Sequence, residues 1–124
     1  MKNLFFVLTL INVFYLSSTA AVIRGQNKEY AGEKLHFYKY PDPVTLDKSF
    51  VFSLDIDKNG TFTADVKIDK TTCFHCDFGI YHGMIFIEPG KTINLLLPPY
   101  RQKSFAENKN PYFKPVEFWF LTAD

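Results

Sequence analysis

The sequence lacks the short motifs that carry much of hydrolytic, metalloprotease and nucleotide-binding chemistry. It contains no G-x-S-x-G, no H-E-x-x-H, no P-loop and no G-x-G-x-x-G. It also lacks charge of one sign, since 14 Lys and Arg residues face 13 Asp and Glu residues. Without a basic block or an acidic tail, nucleic acid and anionic membrane surfaces are poor partners. The sequence therefore gives no grounds for predicting a catalytic site, a cofactor or a metal.

Long apolar runs are scarce beyond the N-terminus. Residues 1–3 give a short positive start, residues 4–16 are almost entirely apolar, and residues 17–20 (SSTA) end the run with small side chains. This three-part pattern predicts a secretory signal peptide over residues 1–20, cleaved after Ala20. A retained membrane anchor is the alternative, but the apolar core is shorter than the ~20 residues that a spanning helix needs. We expect an exported chain that is not inserted in a membrane after cleavage.

Turn signals and alternating apolar residues predict an all-β protein. Residues 88–91 (EPGK) form the clearest turn, because Pro suits its second position and Gly90 can supply the positive φ of a type II turn. The β-branched and aromatic runs on either side, residues 80–87 and 92–97, predict a hairpin. Asn-Gly at residues 59–60 predicts a second hairpin between two alternating runs. In the first of these runs, four residues are predicted to face inward: Phe50, Phe52, Leu54 and Ile56.

The domain division follows from these elements. Because an isolated hairpin is marginal in water, the hairpins need a partner sheet. We predict a small antiparallel β-sandwich over residues 33–99, after a flexible lead-in at residues 21–32. Residues 100–124 predict a proline- and aromatic-rich arm, with one helical turn near residues 104–109 and a final strand at residues 116–122. That strand is apolar on both faces, so either it is central or the chain is the truncated front of a longer one.

Cys73-Phe74-His75-Cys76 is the one chemically suggestive motif in the sequence. In an exported chain two cysteines most often form a disulfide, and we predict a bridge between Cys73 and Cys76. Free thiols, a redox dithiol and half of a zinc site are the alternatives. Asp77 disfavours the redox alternative because a carboxylate raises the pKa of a nearby thiol. A zinc site would need a second pair of ligands, and His82 is a single candidate.

Two further patterns concern binding. The run at residues 55–60 matches the start of a calcium loop, but Val66 stands where the bidentate Glu belongs, so a turn explains these residues. The late aromatic residues predict either core packing or a sugar-stacking platform. On the second interpretation, the candidate ligand contacts are Tyr112, Phe113 and Trp119.

The order of these motifs resembles a known family. The chain has D-K-N-G at residues 57–60, F-T-x-D-V at residues 62–66, and G-I-Y-x-G-M-x-F-I-E-P-G-K-T followed by L-P-P within residues 79–99. It resembles the N-terminal β-domain of exported Bacteroidetes proteins, which often precedes a thioredoxin-like domain of thiol-disulfide oxidoreductases. The run N-P-Y-F-x-P-x-E-F-W-F at residues 110–120 is similar to longer relatives that continue into a large helical region. The resemblance implies a transthyretin-like or carboxypeptidase-regulatory-like β-sandwich and no established activity.

These observations predict an exported, non-enzymatic β-sandwich in the periplasm, in the cell envelope or outside the cell. It would serve as an interaction or accessory module, with a protein or a following domain of a longer chain as its partner. A carbohydrate- or peptide-binding module that uses exposed aromatic residues is the first alternative. An accessory domain of a thiol-disulfide redox protein is the second.

Overall fold

A computed structural model describes residues 20–42 and 44–123 of the chain. The predicted signal peptide lies outside these residues, except for Ala20, which begins the first strand. A 3-10 turn (Lys28–Tyr30) follows the first strand, and a short helix, α1 (Phe105–Lys109), follows the seventh. The strands of the described residues are β1 (Ala20–Gln26), β2 (Lys34–Lys39), β3 (Ser49–Asp55), β4 (Thr61–Lys67), β5 (Thr72–Phe78), β6 (Tyr81–Ile87), β7 (Thr92–Leu96), β8 (Val116–Trp119) and β9 (Leu121–Ala123).

The strands form two sheets that enclose one apolar core. The four-stranded sheet has the order β4-β1-β7-β9, and the five-stranded sheet has the order β3-β2-β5-β6-β8. Two pairs, β1 with β7 and β6 with β8, are parallel. The core includes Ile23, Phe37, Phe74 and Leu95, whose side chains are fully buried. The predicted all-β sandwich is confirmed. Neither of the two helices described here is long and apolar enough to cross a membrane.

Both predicted turns form, but neither joins two hydrogen-bonded strands. The turn at residues 58–60 connects β3 of the five-stranded sheet to β4 of the four-stranded sheet. The turn at residues 88–91 likewise connects β6 to β7 in the other sheet. The two predicted hairpins are therefore wrong, because each turn carries the chain across the core. The apolar alternation is the same in both arrangements, since every second side chain points inward in either.

Local hydrogen bonds explain the first of these turns. Gly60 has a φ of 83°, as the Asn-Gly pattern predicts for this position. Asp57 Oδ1 accepts hydrogen bonds from the backbone N–H groups of Asn59 and Thr61, both at 2.9 Å. Asp57, which belongs to the run that matches the start of a calcium loop, therefore stabilises the turn through its carboxylate.

One of the four residues predicted to face inward on β3 points outward. Phe37 of β2 lies opposite Phe52, whereas the next residue, Tyr38, lies opposite Phe50. Val51 is therefore the extra residue of a β-bulge, which reverses the side-chain alternation beyond it. As a result Phe50 is 62% exposed, while the predicted burial of Phe52 is confirmed.

The segment predicted as a flexible lead-in, residues 21–32, is ordered. It holds most of β1 and the 3-10 turn, and β1 pairs with β4 on one side and with β7 on the other. Ala21 and Ile23 are fully buried, and Tyr30 donates a hydrogen bond from its hydroxyl to the Pro98 carbonyl at 2.9 Å. The prediction was wrong because Ala21 and Ile23 adjoin the predicted cleavage site. An apolar residue at that place can belong either to the signal peptide region or to a buried strand.

The predicted final strand is divided at Phe120 between the two sheets. Its first part, β8, forms the edge of the five-stranded sheet, and its second part, β9, forms the edge of the four-stranded sheet. Phe120 is buried and Phe118 is partly buried, so both side chains pack against the core. Both strands lie at edges rather than at the centre. The predicted helical turn is also confirmed, and Ser104 and Glu107 form a capping box at the start of α1.

Candidate binding surface

The β5–β6 hairpin positions the most polar cluster of the sheet. Phe78 pairs with Tyr81 across a two-residue turn, Gly79-Ile80, in which Gly79 has a φ of 52°. Glycine at the first position is typical of a type II′ hairpin turn. The resulting register places Asp77 directly opposite His82. The sequence pattern of residues 73–78 predicted neither this turn nor this pairing.

The outer face is the side of the five-stranded sheet that points away from the core. Its residues alternate along β5 and β6 with buried residues such as Phe74 and Ile85. Most solvent-facing sheet surfaces are polar. This one instead carries sulfur, imidazole and aromatic groups beside its charges: Tyr38, Cys73, His75, Asp77, His82, Met84, Phe86, Glu117 and Trp119.

A continuous chain of hydrogen bonds, the histidine cluster, crosses the middle of this face. His75 Nδ1 lies 3.2 Å from His82 Nε2, and His82 Nδ1 contacts Asp77 Oδ1. The other carboxylate oxygen, Asp77 Oδ2, accepts from the Tyr38 hydroxyl at 2.8 Å and from Lys48 Nζ at 3.2 Å. At the opposite end, Cys73 Sγ is 3.9 Å from His75 Nε2. The cluster therefore runs from a thiol to a carboxylate.

One set of tautomers satisfies the two rings of this chain. His82 donates from Nδ1 to Asp77, so its Nε2 accepts when the ring is neutral. His75 then donates from Nδ1 to His82, and its own Nε2 accepts the weak S–H hydrogen bond of Cys73. When both rings are neutral, the hydrogen bond between them contains one proton, which is on His75 Nδ1. The carboxylate fixes the ring of His82, and His82 fixes the ring of His75.

The electrostatics favour the neutral form of the His75 ring. Burial, and then the neighbouring His82 and Lys48, lower the pKa of His75 against an opposing effect of Asp77. Burial alone would raise the pKa of Asp77, but hydrogen bonds from His82, Tyr38 and Lys48 lower it below its ordinary value. Burial raises the pKa of the Cys73 thiol. At neutral pH the cluster therefore combines a carboxylate at Asp77, a neutral ring at His75 and a protonated thiol at Cys73, which is not an activated nucleophile.

The predicted disulfide is not present, and strand geometry explains why. Both cysteines are free: Cys73 is partly exposed on the outer face, and Cys76 is buried in the core. Residues three apart on a strand point to opposite faces, whereas a disulfide requires their Cβ atoms to lie about 4 Å apart. Burial, and then Asp77, raise the pKa of the Cys76 thiol. The C-x-x-C motif thus contributes one thiol to each side of the sheet.

The structure does not bring the three predicted aromatic ligand contacts together. Trp119 is 52% exposed and stacks on Phe86, with ring centroids 5.3 Å apart and an interplanar angle of 12°. We call these two residues the aromatic pair. Phe113 instead lies beneath Lys103 Nζ, and Tyr112 is exposed in the loop before β8. Phe86, which the sequence analysis did not single out, replaces Tyr112 and Phe113 as the neighbour of Trp119.

Comparison with known proteins leaves this surface without a described counterpart. No family model, no curated protein and no solved structure matches the chain. Within the described ranges, no three His, Cys, Asp or Glu side chains are arranged to hold a metal ion. The resemblance to the exported β-domains therefore stays a prediction.

The histidine cluster had a signal in the sequence. Cys73, His75 and Asp77 are two residues apart, as are His82, Met84 and Phe86, so each set shares one face of a strand. The sequence did not predict the Gly79-Ile80 turn, and this turn places the two sets side by side. Tyr38 and Lys48 approach from distant parts of the chain, and no local pattern indicates them.

Proposed function

We propose that the chain is a non-enzymatic binding module of an exported protein and that its outer face contacts a protein partner. The observation that carries this proposal is the aromatic pair beside the histidine cluster. Phe86 is 60% exposed on a face that would normally carry polar side chains. Aromatic residues and methionine are enriched in the buried centres of protein interfaces. An accessory role beside another domain agrees with the family resemblance.

The chemistry of the histidine cluster supports binding rather than catalysis. Asp77 accepts hydrogen bonds from three side chains, and each imidazole is engaged by a neighbour. The thiol of Cys73 has a raised pKa, so it is a weak nucleophile at neutral pH. A cluster whose polar groups satisfy one another provides a shaped surface more readily than a reacting atom. Tyr38, held by Asp77 and Lys48, gives this surface a fixed centre.

Site-directed photocrosslinking tests this proposal in cells that make the protein. The photoreactive residue p-benzoylphenylalanine replaces Phe86 in one variant and Phe105 in the matched control. Phe105 is also an exposed phenylalanine, but it lies on α1. We expect a discrete adduct from position 86 that is lost when Trp119→Ser is added, and none from position 105. The same adducts from both positions, or none from position 86, would contradict a partner on the outer face.

A glycan partner is the second candidate, and one observation favours it. A cleft of about 440 Å³ adjoins the aromatic pair and is lined by Phe86, Glu88, Lys91 and Thr122 among others. Aromatic faces next to such polar groups suit the apolar and hydroxyl surfaces of a sugar. The chain contains a single Trp, so tryptophan emission reports on this site directly. A saturable change with one glycan, abolished by Phe86→Ala, would establish this candidate, and no change across a broad panel would remove it.

A further inference from the structure

A second cleft lies at the opposite side of the sandwich from the aromatic pair. β3 and β4 are the edge strands there, and they belong to different sheets. The turn at residues 58–60 ties them together at one end. At the other end, the strands leave a cleft of about 320 Å³ between the sheets. We call it the lysine-rimmed cleft, after the residues described below.

The floor of this cleft is part of the hydrophobic core. Phe74 is fully buried, and Val51 and Ile68 are partly buried against the core cluster. Val51 is the extra residue of the β3 bulge, and Ile68 directly follows β4. Apolar ligand atoms in the cleft would therefore continue the packing of the core and lose their contact with water.

The rim of the cleft is cationic. Lys39 ends β2, Lys67 ends β4, and Lys70 lies in the following turn, and these three lysines line the cleft together with one carboxylate residue, Asp69. All four side chains are exposed. Among the described residues, the lysines that form ion pairs within 4.0 Å are Lys34 and Lys48, which lie outside this rim. The rim thus has three lysines and one aspartate, and its formal charge is positive.

We propose that the lysine-rimmed cleft binds an amphiphilic anion, a linear alkyl chain that ends in a carboxylate or sulfate group. The apolar floor takes the methylene groups, and the ammonium groups at the rim take the anionic head. A small inorganic anion would leave the floor uncovered, and a neutral alcohol would not use the rim. This site is separate from the outer face and goes beyond the function proposed for that face.

Titration of the full chain with alkyl carboxylates below their micelle concentrations tests the proposal. Calorimetry gives the affinity, and methyl chemical shifts of Ile68 and Val51 give the location. We expect decanoate to bind more tightly than octanoate, by about fourfold for each added methylene. Decyl sulfate should compete with decanoate, whereas decanol, acetate and phosphate should bind at least tenfold more weakly. Equal affinity for decanol and decanoate, or full competition by phosphate, would overturn the proposal.

Matched charge variants make the test specific. Lys67→Gln with Lys70→Gln should lower the affinity for decanoate about two- to thirtyfold, the range for two exposed ion pairs. Lys58→Gln with Lys114→Gln removes the same charge elsewhere and should leave the affinity unchanged. Circular dichroism confirms that each variant is folded. An unchanged affinity in the first variant, an equal loss in both, or shifts confined to the outer face would each refute the assignment.

Discussion

The hydrogen bond between the two imidazole rings of the histidine cluster contains a single proton. His75 Nδ1 donates to His82 Nε2, so a second proton on His82 would leave two donors facing each other unless His75 changed its tautomer. When both rings are charged, the contact at 3.2 Å becomes a repulsion between two cations. The carboxylate of Asp77 can offset a positive charge only on His82, because it contacts that ring. The centre of the outer face is therefore sensitive to acid.

Thermal stability should fall as the pH drops from 7 to 5. The pKa of His75 is lowered in the folded chain, so the unfolded chain binds the proton more readily. Stability that depends on neutral His75 is thus present above the ordinary pKa of about 6.5 and is lost below it. Asp77, whose pKa is also lowered, contributes to a separate loss nearer pH 4. Unfolding midpoints measured by circular dichroism from pH 7 down to about pH 3 check both windows.

Two histidine variants test whether the acid sensitivity comes from the histidine cluster or from any histidine in the chain. His75→Gln should flatten the change in midpoint between pH 7 and 5. His36→Gln is the control, because His36 is exposed and contacts Phe50 rather than the cluster. It should keep the wild-type profile. An equally steep profile in His75→Gln would show that another group carries the acid sensitivity.

The two thiols should differ in their reactivity toward a disulfide reagent such as Ellman's. In the native protein we expect one thiol to react, and Cys73→Ser should abolish that reaction. In denaturant without reductant, the wild-type chain should show two thiols, because Cys76 becomes accessible on unfolding. The absence of free thiols in denaturant would mean that the cysteines are bridged, contrary to their opposite directions on β5.

At the scale of elements, the two turns that cross the core differ in the space around their glycines. Gly60 and Gly90 both have positive φ, at 83° and 75°. A Cβ atom on Gly60 would lie 2.5 Å from the Asn27 carbonyl oxygen, whereas one on Gly90 would meet no atom within 4 Å. The first turn is packed against the end of β1, and the second projects into solvent.

Alanine substitutions should reveal this difference. Gly90→Ala should lower the free energy of unfolding by about 1 kcal/mol, the backbone cost of an L-residue at positive φ. Gly60→Ala should cost about 1–3 kcal/mol more, because the backbone at Asn27 must also move. Urea unfolding of both variants measures the difference. Equal losses would contradict the close approach of the two segments.

Gly83 provides the space that β8 and β9 need. A Cβ atom there would lie 2.4 Å from Phe120 Cε2 and 2.9 Å from Phe118 Cζ. Gly83→Ala should therefore destabilise the protein by about 1–3 kcal/mol. Phe120→Leu should recover part of this loss in a double variant, although it is destabilising alone. Strict additivity of the two losses in urea unfolding would argue against the contact.

The sequence predicted local geometry better than strand partners. The turns at Gly60 and Gly90, the inward direction of Phe52, and the helical turn of α1 all follow from adjacent residues. Strand pairing does not, because the same alternation suits a hairpin and a crossing between sheets. The bulge at Val51 and the approach of Tyr38 and Lys48 to Asp77 depend on neighbours remote in sequence. For this reason the sequence could indicate which residues share a face on β5 and which share a face on β6, but not that the two sets lie side by side.

At the scale of the whole molecule, backbone protection should follow position within the sheets. β1 has a partner on each side, whereas β9 has three residues and lies at an edge. Hydrogen exchange measured by NMR should therefore be slowest for the paired amides of β1 and fastest, among the strands, for β8 and β9. The order should persist in Lys109→Gln, a surface change on α1. Faster exchange in β1 than in β9 would contradict the topology.

The central position of β1 also affects the order in which the protein can be assembled. Ala21 and Ile23 are among the first described residues to leave the ribosome, but Val66 of β4 and Ile93 of β7 follow much later. Until then, the apolar side chains of β1 have no sheet to join and are exposed to other chains and to chaperones. The core therefore closes only after nearly the whole domain has been synthesised. Nascent chains that stop before β7 should consequently be aggregation-prone and readily degraded.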